Sequence, residues 1–159
     1  MKKEKNKNMI PTSFYNRILS VIPVPCVDLV IVHKGKFLMG KRINEPAKGQ
    51  WFFPGGRVFK EETLEQAAVR KAKEETGIKI KKSNLNYLTT AETIFRAKNF
   101  SGTRHTINSV FLVKPDKLKE SELLKFDRTQ NSEFQWFSKI DKNWYPYVKN
   151  VLKLAGFGQ

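Results

Sequence analysis

A glycine-containing loop that leads into a capped helix is the feature that most constrains this chain. Pro54–Gly56 does not continue a strand comfortably, so we expect a tight loop there. Thr63 is followed three residues later by Gln66, a capping box that predicts a helix start at Leu64. Gly77 is a natural stop for this helix. The sequence therefore predicts a glycine loop followed by a helix of about 13 residues.

The faces of this predicted helix differ in chemistry. One face is a narrow stripe that allows close packing on a sheet, formed by Leu64, Ala67, Ala68 and Ala72. Another face carries Lys71, Glu74 and Glu75 at positions i, i+3 and i+4. Adjacent carboxylates suit Mg²⁺, which typically binds one or two carboxylates together with waters and substrate phosphates. The alternative is a solvated face on which Arg70 pairs with Glu74.

Strand patterns recur along the rest of the sequence. A β-rich run at Val27–Val32 leads through a Lys34-Gly35 turn into Phe37–Met39, which predicts a hairpin. Further strands are predicted near Trp51–Phe53, Leu85–Ile94, Thr106–Val113 and Glu133–Phe137. Because strands and helices are interleaved, we expect a mixed α/β fold with helices packed against a mixed sheet.

Helix patterns lie near both ends of the chain. Thr12 predicts the cap of a helix that runs to about Val21, and a second helix is predicted over Trp144–Ala155. Residues 1–10 are basic and predict a flexible arm, whereas residues 11–159 predict a single domain.

Cysteine content, the length of apolar runs and net charge together exclude several classes of protein. Cys26 is the only cysteine, which excludes an internal disulfide or a CxxC motif and fits a reducing, intracellular setting. No run reaches about 18 apolar residues, so we expect no membrane span and a cytoplasmic protein. The net charge of +15 favours polyanionic partners such as nucleotides. The lysines are scattered, so nucleic acid is not the expected main partner.

Asp28 stands inside the apolar run that predicts the first strand. A carboxylate in such a place costs free energy unless it is paired or hydrogen-bonded. The residues alone leave two interpretations open, a salt bridge at a strand edge and a functional carboxylate.

The segment from the glycine loop to the end of the helix resembles the Nudix box, Gly-x5-Glu-x7-Arg-Glu-U-x-Glu-Glu-x-Gly-U, in which U is aliphatic. The matching residues are Gly56, Glu62, Arg70, Ala72, Glu74, Glu75, Gly77 and Ile78. The acid expected directly after the arginine is missing, because Lys71 occupies that position. The resemblance implies an α/β/α sandwich with a mixed sheet, and an Mg²⁺- or Mn²⁺-dependent hydrolase of nucleoside diphosphates linked to another group.

The same resemblance implies roles for the box residues. Glu74 and Glu75 would bind the divalent ion, with the backbone carbonyl of Gly55 as a further ligand. Arg70 would orient a box glutamate. Structural roles fall to Gly56, Glu62, Arg70 and Gly77.

Sequence outside the box is similar to the GDP-mannose mannosyl hydrolase branch of the family. The similar segments are Phe37–Arg42, Asn44–Val58 and Asn99–Thr103. This similarity implies cleavage of the bond between sugar C1 and oxygen, which releases GDP and mannose, whereas most Nudix enzymes cleave a P–O bond. Related enzymes are often dimers, so a homodimer is a further expectation.

Individual residues match this branch by position. Arg42 and Arg57 match arginines that stabilise the diphosphate leaving group, a role that suits the planar fork of guanidinium donors. Asp28 matches an aspartate that faces the sugar, where a carboxylate stabilises positive charge at C1. Gln130 matches a metal-binding glutamine.

Two departures from the branch pattern affect the expected chemistry. The ammonium of Lys71 cannot ligate Mg²⁺ and repels it, which favours one metal ion over several. The alternative is that Lys71 simply pairs with Glu74 or Glu75. The branch has a general-base histidine where this chain has Asn131, and an amide is not a useful base near neutral pH. The remaining candidates for the base are His105, Asp127, Glu133 and a metal-held water.

These departures keep two other functions open. An ordinary Nudix pyrophosphohydrolase would cleave a P–O bond of a nucleotide sugar or a nucleoside triphosphate, and the intact Glu62, Glu74 and Glu75 favour it. A non-catalytic nucleotide or RNA binder would keep the fold without the reaction, and Lys71, Asn131 and the net charge of +15 favour it.

Overall fold

The computed structural model of the protein describes residues 10–96, 103–118 and 129–158. Within these ranges the helices are α1 (Thr12–Val21), α2 (Leu64–Thr76) and α3 (Pro146–Leu154). The strands are β1 (Val24–His33), β2 (Lys36–Arg42), β3 (Trp51–Phe52), β4 (Gly55–Arg57), β5 (Leu85–Arg96), β6 (Thr103–Val113) and β7 (Asn131–Phe137). None of the helices in these ranges combines the length and the apolar character needed to cross a membrane.

Some predictions concern residues at the margins of these ranges. Of the basic arm expected at residues 1–10, Ile10 alone is among the described residues. Of the Asn99–Thr103 segment, Thr103 alone is described, as the first residue of β6. The flexibility of the arm and the role of that segment therefore stay predictions.

The strands form one mixed sheet in the order β3-β2-β1-β6-β5. β1 runs parallel to β6, in a register that extends from Val24 opposite Thr106 to Ile31 opposite Val113. The other pairings are antiparallel, including β4 beside β1 and β7 beside β2. The parallel pair within an otherwise antiparallel sheet confirms the predicted mixed sheet.

Two hydrophobic clusters lie on opposite faces of the sheet. One joins alternate residues of β1 to the small residues of α2, and it includes Val27, Leu29, Ile31, Ala67, Ala68 and Ala72. The other joins the opposite face of β1 to α3, and it includes Val30, Val148, Val151 and Leu152. Successive strand residues point to opposite faces, so β1 contributes to both clusters. Helices therefore cover both faces, which confirms the α/β/α sandwich.

The prediction of a tight loop at Pro54–Gly56 is wrong in part, because Gly55–Arg57 forms β4. This short strand pairs with β1, and Asp28 lies opposite Gly55. A Cβ atom at Gly55 would collide with the Val27 carbonyl oxygen, so glycine permits the close approach of the two backbones. The extended conformation of Gly55–Arg57 depends on pairing with β1, which is distant in sequence, so the local sequence does not predict it.

The ends of two predicted helices also differ from expectation. Thr12 is the first residue of α1 rather than its cap, and Pro11 occupies the N-cap position without a side-chain hydrogen bond. α3 begins at Pro146 rather than at Trp144. Proline suits a first helical position because the N–H that it lacks would have no helical partner there.

Candidate active site

A cavity of about 580 Å³ is lined by residues of α1, α2 and the strands β1 to β6, and by the residues at the start of β7. It brings together most of the side chains and backbone positions predicted from the sequence: Asp28, Arg42, Gly55, Gly56, Arg57, Arg70, Glu74, Glu75 and Gln130. Glu62 and Gly77 do not line it, in keeping with the structural roles expected for them.

Local interactions fix both ends of α2, the helix that carries the acidic residues. The Thr63 hydroxyl accepts a hydrogen bond from the Gln66 N–H at 3.2 Å, and the Gln66 side chain accepts one from the Thr63 N–H at 2.8 Å. Gly77 has a φ of 75°, and its N–H donates to the Lys73 carbonyl. The predicted capping box, helix start and helix stop are therefore confirmed.

Glu62 and Arg70 tie the glycine-containing segment to α2. Nε and Nη2 of Arg70 donate to the two carboxylate oxygens of Glu62 at 2.6 and 2.8 Å. Glu62 also accepts from the Phe59 N–H at 2.9 Å, and Nη2 of Arg70 donates to the Arg57 carbonyl at 2.9 Å. The Phe59 ring lies 3.9 Å from the guanidinium carbon of Arg70. This network positions the backbone on which the cavity-lining residues stand.

Glu62→Gln is expected to lower the free energy of unfolding by about 1–3 kcal/mol at pH 7, because two charge-assisted hydrogen bonds are weakened. The hydrogen bond from Arg70 holds the pKa of Glu62 below its ordinary value. An acid with a lowered folded-state pKa stabilises the protein above its unfolded-state pKa and loses that effect as pH falls. The difference between the two proteins should therefore shrink below about pH 4.5.

Urea unfolding from pH 3 to pH 7 measures this difference. Glu61→Gln is the matched control, because the Glu61 side chain is 85% exposed. A constant gap between the wild-type protein and Glu62→Gln across this pH range would contradict the stabilising charge pair.

Glu75 is the more enclosed of the two acidic residues at the cavity, with a side chain only 8% exposed. One carboxylate oxygen accepts a hydrogen bond from the Gly55 N–H at 3.3 Å. The other lies 2.8 Å from Nζ of Lys71. α2 thus places the Glu75 carboxylate beside the backbone of Gly55 in β4. The Glu75 carboxylate and the Gly55 carbonyl are two of the metal ligands that the sequence resemblance implies.

Glu74 has a more open environment, with a side chain 48% exposed. It accepts a hydrogen bond from Nη1 of Arg70 at 3.0 Å, which is the pairing weighed from the sequence as the alternative to metal binding. Within the described ranges, no cluster of three or more His, Cys, Asp or Glu side chains is arranged to hold a metal ion. Two carboxylates beside a glycine backbone fit one divalent ion that takes its remaining ligands from water and substrate phosphates.

Asp28 lies inside the sheet rather than at its edge, and among the described residues it has no partner in a salt bridge, which was one interpretation of the sequence. It lies in β1 between β4 and β6, and its carboxylate accepts a hydrogen bond from the Tyr147 hydroxyl at 2.5 Å. Burial, with a smaller contribution from Glu75, raises the pKa of Asp28 to about 6, against the lowering effects of Tyr147 and Arg42. The cavity therefore contains a carboxylate that is largely surrounded by protein.

Two arginines line the cavity from different strands. Nε of Arg42, at the end of β2, donates to the Pro46 carbonyl at 2.8 Å. Arg57, at the end of β4, has its guanidinium carbon 5.0 Å from the Tyr15 ring centre and 5.3 Å from the Phe59 ring centre. These contacts orient both guanidinium groups at the cavity wall, which suits the recognition of phosphate oxygens.

The candidates for the general base differ in their position relative to the cavity. His105 lines the cavity, and its Nε2 lies 3.0 Å from a Glu92 carboxylate oxygen. Glu133 pairs with Lys41 at 3.5 Å and does not line the cavity. Asp127 lies outside the described residues. Asn131 is buried where the related branch has a histidine.

Gln130, the predicted amide ligand, is exposed at the mouth of the cavity beside Asn131. Its side-chain oxygen lies 3.5 Å from Nδ2 of Asn44. Gln130 and Asn131 both line the cavity, and the metal-binding role of Gln130 stays a prediction.

Sequence reasoning missed the contribution of Tyr147, since it stands in the C-terminal helix, far from the box in sequence. Burial raises the pKa of the Tyr147 hydroxyl, which therefore stays protonated and donates to Asp28.

Cys26 also lines the cavity, and burial raises the pKa of its thiol to about 12. A thiol with such a pKa is protonated at neutral pH and is not an activated nucleophile.

The sequence profile that describes the NUDIX domain matches residues 23–148. The chain belongs to the Nudix family. Nudix proteins are hydrolases that generally use divalent metal ions, and the acidic helix of this Nudix domain lines the cavity that contains Asp28, Arg42 and Arg57.

Similar proteins span most of the chain. The low-salt glycan biosynthesis protein Agl8 of Haloferax volcanii is 36% identical over 151 residues, which cover 94% of this chain and 92% of that protein. The ADP-ribose pyrophosphatase of Methanocaldococcus jannaschii is 32% identical over 129 residues, which cover 81% of this chain and 71% of that protein.

A solved structure supports the Nudix fold independently. The MutT NUDIX hydrolase from Burkholderia pseudomallei superposes with a TM-score of 0.69 at 23% sequence identity. The superposition covers 84% of this chain and 98% of the other chain. At this level of identity the likeness concerns the fold alone.

Proposed function

We propose that this Nudix protein is an Mg²⁺- or Mn²⁺-dependent hydrolase of a nucleoside diphosphate sugar, with GDP-mannose hydrolysed to GDP and mannose. The observation that carries the proposal is the enclosed carboxylate of Asp28 in a cavity that also presents Arg42 and Arg57. An enclosed anion repels a diphosphate, but it stabilises positive charge that develops at sugar C1 when the bond to oxygen breaks. Agl8, a relative named for glycan biosynthesis, supports a sugar-containing substrate.

In this proposal, different side chains bind the diphosphate and the divalent ion. Arg42 and Arg57 bind oxygens of the diphosphate and stabilise its charge as it leaves. Glu74 and Glu75, with the Gly55 carbonyl and Gln130, would hold the divalent ion. A bound divalent ion neutralises the diphosphate and polarises its oxygens.

The proposed reaction breaks one bond and forms one. The oxygen of a water molecule bonds to sugar C1, and the bond between C1 and the diphosphate oxygen breaks. The electron pair of that bond leaves on the diphosphate oxygen, where Arg42 and Arg57 stabilise it. Asp28 stabilises the positive charge at C1 during the step. The water proton passes to a base, for which His105 is the candidate at the cavity wall.

A pyrophosphohydrolase that cleaves a P–O bond is the second candidate function. The resemblance to an ADP-ribose pyrophosphatase and the presence of both Glu74 and Glu75 favour it. In that reaction water attacks phosphorus, so a negative group such as Asp28 near the reacting centre is unfavourable. The position of Asp28 is therefore our reason for ranking this function second.

Hydrolysis of GDP-mannose with Mg²⁺ in ¹⁸O-labelled water distinguishes the two bond cleavages. Cleavage at C1 leaves GDP unlabelled and places the label on mannose. Free mannose exchanges its C1 oxygen with water, so mannose incubated in labelled water without enzyme is the control. Because GDP does not exchange in this way, the presence or absence of label on GDP is the primary measurement. A reaction in EDTA checks the dependence on a divalent ion.

Other results of this experiment would contradict cleavage at sugar C1 and assign a different function. Label on GMP or on mannose 1-phosphate assigns P–O cleavage and the second function. Nucleotide binding without turnover of GDP-mannose, ADP-ribose or nucleoside triphosphates assigns the non-catalytic nucleotide binder. Label on GDP itself would place the attack on phosphorus and would remove Asp28 from the proposed role.

A further inference from the structure

Lys71 departs from the Nudix box at a position that carries an acid in the pattern, and its side chain lies inside the candidate site. It is only 15% exposed, and its Nζ atom lies 2.8 Å from Glu75 and 3.6 Å from Glu74. The same side chain lines the cavity that contains Asp28, Arg42 and the other candidate residues. Lys71 is therefore not a surface lysine that extends into solvent.

The Lys71 side chain packs against the backbone of Gly56. A Cβ atom added at Gly56 would lie 2.7 Å from Cε and 3.1 Å from Nζ of Lys71. The lysine stem thus occupies the space that the absent side chain of Gly56 leaves. Since Gly56 belongs to β4, the ammonium is held between the acidic helix and the β4 backbone.

We propose that the Lys71 ammonium is a resident cation of this site, which takes the place of one divalent ion and binds phosphate oxygens of the nucleotide. This inference rests on the proposed function in one respect, since it requires a diphosphate ligand. It does not depend on which bond is cleaved.

The chemistry of an ammonium group supports this role. Lysine has three N–H donors and no acceptor, so the contact to Glu75 at 2.8 Å leaves donors for a ligand in the cavity. A positive charge beside Glu75 neutralises part of the charge of the acidic pair before any metal ion binds. The same charge repels a divalent ion that approaches the two carboxylates. Lys71 should therefore favour nucleotide binding and disfavour metal binding.

Two binding measurements on the full chain test these opposite effects. The first titrates Mn²⁺ alone against the protein, and the second titrates GDP in EDTA. In Lys71→Gln we expect Mn²⁺ affinity to rise at least about tenfold and GDP affinity in EDTA to fall at least about tenfold. Lys71→Arg keeps the charge and should stay closer to the wild-type protein in both titrations.

Lys73→Gln is the matched control, because Lys73 is an exposed lysine on the same helix. It makes the same change in net charge, so it should change each affinity less than about threefold. Thermal unfolding checks that each variant is folded before the titrations are compared. Lys71→Glu restores the acid of the pattern and should bind more Mn²⁺ ions per chain than the wild-type protein.

Several outcomes would overturn the inference. A fall in both affinities in folded Lys71→Gln assigns Lys71 a structural role alone. Unchanged affinities in Lys71→Gln and Lys71→Glu remove Lys71 from the site. Failure of GDP-mannose hydrolysis is a separate result, because both titrations are read without turnover.

Discussion

Glu75→Gln is expected to lower metal-dependent turnover by about 10²–10³-fold, because it removes a charge that would bind the divalent ion. The substitution keeps the size of the side chain and an oxygen that accepts from the Gly55 N–H. Among the described residues, Glu74 then remains as the acidic partner of Lys71, at 3.6 Å. Because the pair borders an open cavity, we expect the free energy of unfolding to fall by only about 1–2 kcal/mol.

Steady-state kinetics and urea unfolding on the same protein samples check both parts of this prediction. Glu65→Gln is the matched control, because Glu65 stands in the first turn of the same helix and pairs with Lys82 at 3.3 Å. Its carboxylate does not line the cavity. Turnover of Glu75→Gln within about threefold of the wild-type rate would remove Glu75 from the metal site, since a metal ligand contributes far more.

Features of the fold that depend on near neighbours were predictable from the sequence. The capping box joins Thr63 to Gln66, three residues away, and both hydrogen bonds are present. Gly77 adopts the left-handed conformation that a helix C-terminus favours. The β-rich run at Val27–Val32 also sufficed to predict a strand, which the structure shows as part of β1. These signals are local, so they do not depend on how the chain is folded elsewhere.

Contacts between distant residues were not predictable in the same way. Tyr147 and Asp28 are 119 residues apart in sequence, and α3 brings the phenol to the carboxylate. The strand at Gly55–Arg57 exists because β1 lies beside it, whereas its own residues favour a loop. The sequence placed Lys71 on the helix face of Glu74 and Glu75, but it gave no sign that the lysine stem packs against Gly56.

The environment of Asp28 predicts that Asp28→Asn stabilises the protein while it lowers turnover. Burial raises the pKa of Asp28 from 3.8 to about 6. A folded-state pKa above the unfolded-state value means that ionisation opposes folding, so stability is lost as pH rises from about 4 to above 6. Each pKa unit corresponds to about 1.4 kcal/mol, which gives a cost on the order of 2–3 kcal/mol at neutral pH. Asparagine has no such ionisation and still offers an oxygen to Tyr147.

We therefore expect Asp28→Asn in EDTA to unfold at a higher urea concentration at pH 7.5 and at nearly the wild-type concentration at pH 4. Turnover of GDP-mannose with Mg²⁺ should fall by about 10²–10³-fold, because the amide cannot stabilise positive charge at C1. Asp116→Asn, with a carboxylate 60% exposed and outside the cavity, is the control. A merely structural Asp28 would lose stability and activity together. Gain of stability with full activity would instead leave the carboxylate without a role in the reaction and would favour attack at phosphorus.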